Sequence, residues 1–78
     1  MRNEFCEKDG ILITYLDNNV AFEDTQTAES ILFANDGTIL FNNFSDDKKK
    51  TAYFVNYFKQ IYPSIELLRS LDSIEAVG

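Results

Sequence analysis

The side chains that could do chemistry in this chain are almost all carboxylates: thirteen Asp and Glu stand against seven Lys and Arg, with one cysteine and no histidine. Acid-base catalysis needs two carboxyls that converge on one substrate atom, and only Glu23-Asp24 and Asp46-Asp47 are adjacent. In a strand, neighbours point to opposite faces, which separates Glu23 from Asp24. Asp46-Asp47 suits a helix N-terminus, where the helix dipole favours negative charge. Without histidine there is no Ser-His or Cys-His pair, and Cys6 lies among acidic residues, with no neighbouring base to activate it. No catalytic residue is assigned, and the chain reads as a non-enzyme.

Metal and cofactor templates also fail. Asp17-Asn18-Asn19 opens like a calcium loop, but Phe22 occupies the sixth position, where glycine is required, and no carboxylate stands at the twelfth. Gly10, Gly37 and Gly78 are isolated and build no phosphate-cradling loop. Lys48-Lys49-Lys50 precedes Tyr53 and Phe54, but beside Asp46 and Asp47, in a chain of pI about 4.3, the run reads as a solvated helical turn. Direct nucleic-acid binding is not expected, since phosphate affinity requires positive potential.

The informative pattern is where the charges fall. Residues 9 through 47 contain no Lys or Arg but eight carboxylates; residues 1–44 carry a net charge of −6, whereas residues 45–78 are neutral. Ordinary soluble surfaces intersperse both signs. Carboxylates two residues apart on a strand lie about 6.8 Å apart, a spacing on the scale of a phosphate backbone. This segregation points to a protein partner with a basic surface, engaged through Glu23, Asp24, Glu29 and Asp36. The competing explanation is that the acidity only keeps a small protein soluble.

The elements that would position these residues follow from periodicity. Ile11–Leu16 and Val20–Glu23 flank Asp17-Asn18-Asn19, and Ile31–Ala34 and Thr38–Phe41 flank Asn35-Asp36-Gly37; both read as hairpins. Ser45 fits an N-cap, and a helix is predicted over about residues 46–62, where Pro63 kinks or ends it. A second amphipathic helix over residues 64–75 places Leu67, Leu68, Leu71 and Ile74 on one stripe. The expected fold is α+β: an antiparallel meander of three or four strands, then two C-terminal helices packed on one face. One domain is expected over residues 1–78, with a strand-rich acidic half to about residue 44 and a helical half from about residue 45.

Tyr53, Phe54, Val55, Tyr57, Phe58, Ile61 and Tyr62 sweep roughly 200° of the first helix. That arc fits burial between the sheet and the second helix, or a homodimer interface through Tyr53, Tyr57 and Tyr62. No apolar run approaches the roughly 20 residues that span a bilayer, and the N-terminal residues lack the apolar core of a signal peptide. A cytoplasmic protein is therefore expected, with Cys6 reduced.

In size, charge and layout the chain resembles small acidic phage-encoded inhibitors, among them anti-CRISPR proteins and DNA mimics. The resemblance implies a non-enzymatic inhibitor that occludes a basic surface on a nucleic-acid-handling protein, and it assigns no individual residues. The alternatives are a structural homo-oligomer using the aromatic helix face and an antitoxin-like partner of a basic toxin.

Overall fold

Five strands alternate with tight turns before one long helix closes the chain. The computed structural model describes residues 2–44 and 48–77, the side chains of residues 72–77 excepted. The strands are β1 (Asn3–Lys8), β2 (Ile11–Leu16), β3 (Asn19–Asp24), β4 (Ser30–Ala34) and β5 (Ile39–Asn42), and the helix is α1 (Lys48–Val77). They form one antiparallel sheet in the order β1-β2-β3-β4-β5, a meander in which every strand pairs with its sequence neighbour.

The α+β class and the two expected hairpins hold, but the strand count is five, not three or four. The additional strand is β1, joined to β2 by Asp9-Gly10 with φ of 54° and 79°, the left-handed pair a two-residue hairpin turn favours. Leu16 pairs with Asn19 across Asp17-Asn18, and this turn uses no left-handed residue. Gly37, at φ 92°, supplies the positive φ of the β4–β5 turn, where Asp36 Oδ1 accepts from the Thr38 N–H at 2.9 Å.

Alternation along the strands separates two faces, and opposed residues in the register share a face. Tyr15, Ile13, Val20, Phe22, Ile31 and Phe33 are buried on one side, against Phe54, Phe58 and Ile65 of α1. Phe22 and Phe33 meet edge to face at 5.7 Å; Phe22 also lies 5.4 Å from Phe54, and Phe33 stacks on Phe58 at 4.8 Å. Burying such rings contributes about 1.5 to 3 kcal/mol each.

A single helix replaces the two expected. Pro63 lies inside α1 and neither ends it nor divides it into two elements. The proline removes one main-chain bond, at a cost of about 3 kcal/mol. Phe58, Ile61 and Tyr62 before it, and Ile65 and Leu68 after it, pack on the same core and hold both segments to the sheet. Pro63 and Lys59 are both exposed, which puts the proline on the solvent side of α1. The aromatic arc is accordingly not sandwiched: its centre meets the sheet and Tyr53 is exposed. The expected cap at Ser45, Asp46 and Asp47 lies outside the described residues.

Candidate protein-binding surface

With α1 on one side, the opposite face of the sheet carries no second element among the described residues. The register builds this open face in rows. Glu4, Thr14, Ala21, Leu32 and Phe41 form one, and Glu7, Leu12, Glu23 and Ser30 the next. Arg2 reaches over the first row, its Nε donating to Thr14 Oγ1 at 2.9 Å. Leu12, Ala21 and Leu32 are half-buried, Phe41 is half-exposed, and Glu4, Glu7 and Glu23 are exposed beside them. The face is an apolar strip bordered by carboxylates.

Of the four carboxylates expected to bind a partner, Glu23, Asp24 and Glu29 lie at one end of the sheet, where the Asp24 N–H donates to the Glu29 carbonyl at 2.8 Å, but their side chains do not share one face. Glu23 stands on the open face. Asp24, on the helix-side face at the end of β3, turns its carboxylate into the following loop, accepting from the N–H groups of Gln26 at 2.9 Å and Thr27 at 3.2 Å. Glu29 closes the same loop and lies 3.9 Å from Lys50 Nζ of α1. Asp36 sits at the opposite end of the sheet, where the Thr38 N–H and hydroxyl hold its carboxyl below the usual range. Glu4 and Glu7, which sequence reasoning did not select, join Glu23 instead. Their signal was Asp9-Gly10, the hairpin that makes β1 a strand.

Of the three tyrosines, Tyr53 and Tyr57 meet edge to face at 5.8 Å, and Tyr62 makes separate contacts further along α1. Tyr53 is 58% exposed. Tyr57 packs against Phe22 at 5.3 Å, and burial, followed by the nearby Cys6, Tyr53 and Asp9, pushes its hydroxyl pKa up. Tyr62 packs on Phe58 at 5.1 Å and donates to Glu66 Oε1. Beside it, Arg69 forms a tie between helix and sheet: Nη2 donates to the carbonyls of Leu16 and Asn19, and Nη1 donates to Glu66 at 2.9 Å. Burial first, then the Glu66 bond, raises the Tyr62 pKa; the Tyr62 hydroxyl, then Arg69, lowers that of Glu66.

A shallow hollow of about 260 Å³ beside β1 is lined by Lys8, Asp9, Tyr53, Asn56, Tyr57 and Gln60. Among the described residues, no three His, Cys, Asp or Glu side chains are grouped to hold a metal ion, and no helix is long and apolar enough to cross a membrane. Comparison with known proteins finds no matching family model, no similar curated protein and no similar solved structure.

Proposed function

We propose that this protein is a small non-enzymatic binding module that presents its acidic sheet to a basic surface of a protein partner, as an inhibitor of a nucleic-acid-handling protein would. One observation carries the reading: charge is divided between the two layers. The sheet and its turns hold eight carboxylates and two cations, a net of −6, while α1 holds five cations and three carboxylates, a net of +2. Because α1 covers one face only, the other is left open, and of these carboxylates Glu4, Glu7 and Glu23 stand on it, with Arg2 the cation laid across its first row. Its apolar strip supplies area and its carboxylates supply steering, the combination that speeds encounter with a basic surface. A cytoplasmic setting fits the half-buried, unpaired Cys6.

The test is affinity capture of nucleic-acid-binding proteins from a cell lysate at low and high salt, with the parent and with Glu4, Glu7 and Glu23 all changed to Gln. Salt-sensitive capture of basic proteins by the parent, lost in the triple variant, supports the reading. Capture that neither salt nor the triple variant alters overturns it. A self-associating protein is the second reading, favoured by the exposed apolar edge of the sheet.

A further inference from the structure

We propose that β5 is a self-association edge at which a second copy of this chain pairs antiparallel, extending two five-stranded sheets into one of ten strands. The outer side of an edge strand presents N–H and C=O groups without a strand neighbour, and proteins protect such edges with charge. The two edges of this sheet are treated differently. β1 carries Glu4, Glu7 and Lys8, all exposed, whereas Ile39, Leu40, Phe41 and Asn42 of β5 are uncharged. Ile39, Leu40 and Phe41 are 40%, 55% and 50% exposed. Both edges contain a bulge, so charge and apolar exposure distinguish them. Pairing through β5 leaves the charged β1 at both ends of the joined sheet, and the assembly closes at two copies.

Charge complementarity favours a second copy as the occupant. Asp36 lies in the turn before β5. At the other end, Asn42 Nδ2 donates to Thr51 Oγ1 at 3.1 Å, tying β5 to the first turns of α1, where Lys48, Lys49 and Lys50 stand, Lys50 already 3.9 Å from Glu29 and over the Phe44 ring. An antiparallel two-fold pairing carries the Asp36 end of one copy to the lysine end of the other, twice. The three apolar side chains and the edge main chain fall short of the roughly 800 Å² per partner of a standard interface, so the dimer is weak.

Sedimentation equilibrium of the whole chain from about 10 µM to about 1 mM covers the range in which such interfaces form. A monomer–dimer equilibrium within it is expected. Leu40→Lys should weaken association at least about tenfold while the circular dichroism spectrum is kept, and Tyr53→Lys should leave it unchanged. Asp36→Asn keeps a turn acceptor but removes a charge. Generic repulsion between copies of net charge −6 would make that variant associate more strongly, whereas the proposed pairing makes it associate more weakly. Hydrogen exchange of the parent's β5 amides should slow as concentration rises, a readout that does not depend on any variant folding. A monomer at every concentration, a dimer lost on Tyr53→Lys but kept on Leu40→Lys, stronger association of Asp36→Asn, or β5 amides indifferent to concentration overturns the proposal.

Discussion

The two faces of the sheet are made from the same strands, one residue out of phase, and they have opposite fates. On the helix side, Ile13, Val20, Phe22, Ile31 and Phe33 are fully buried, and every ring meets another from α1 or the sheet. On the open side, Leu12, Ala21 and Leu32 are only half-buried, and the exposed Glu4, Glu7 and Glu23 border them. The alternation itself marks the core face: Tyr15, Ile13, Val20, Phe22, Ile31 and Phe33 fall on one side, whereas Leu12, Ala21, Leu32 and Phe41 share the other with three glutamates, Thr14 and Ser30. α1 packs on the more apolar of the two. Stability therefore resides on one face, and the other is left available for recognition.

The sharpest way to break that contrast is a pair of truncations followed by urea denaturation. Phe22→Ala should cost about 3 to 5 kcal/mol, enough to unfold most of the population, and Phe58→Ala belongs in the same range. Leu32→Ala, on the other face of the neighbouring strand, should cost no more than about 1 kcal/mol. Equal losses would mean that the open face is covered in solution.

The tie that keeps α1 in place comes next in size. Arg69→Ala strips the carbonyls of Leu16 and Asn19 of their charged donor and should cost about 1.5 to 3 kcal/mol, with Arg69→Lys recovering part of it. The same measurement decides it, and no loss would show that aromatic packing alone seats the helix. A smaller effect of the opposite sign is expected at Ala28, held at φ 64° in the loop between β3 and β4. Ala28→Gly relieves that strain and should raise stability by about 0.5 to 1 kcal/mol, less whatever freedom glycine restores to the unfolded chain.

The smallest effect is a pH dependence confined to the same tie. Glu66 has a folded pKa below its unfolded value, so its contribution is present above the ordinary carboxylate range, about 4.3, and is lost as pH falls through the folded value. Tyr62 is displaced upward, so its contribution is full below about pH 10 and is lost as pH rises through the folded value. Denaturation midpoints of the parent and Glu66→Gln should differ at neutral pH and converge in acid. A constant difference would refute the assignment.

The hairpins around residues 17–19 and 35–37 were legible in the sequence because apolar alternation and turn residues agree there. β1 was not, because its bulge sets Phe5 and Cys6 side by side against the core and breaks the period of two that marks a strand. The continuous helix was hidden by Pro63, whose local preference is overridden by packing on both sides of it. Among the candidate binding residues, the identity of Asp24 and Asp36 as carboxylates was visible, but their use within turns was not. Asp serves a loop and an interface equally well, and only the hydrogen bonds distinguish the two.

The order of elements has a consequence for how the protein is made. All five strands leave the ribosome before α1 does, and hairpins between sequence neighbours form quickly because little loop entropy is lost. Until α1 has emerged in its turn, Phe22 and Phe33 lack the Phe54 and Phe58 rings that later cover them. The nascent sheet is then apolar on its future core face and has a bare edge at β5, so synthesis, more than the finished fold, is the stage at which this chain is most exposed to misassociation.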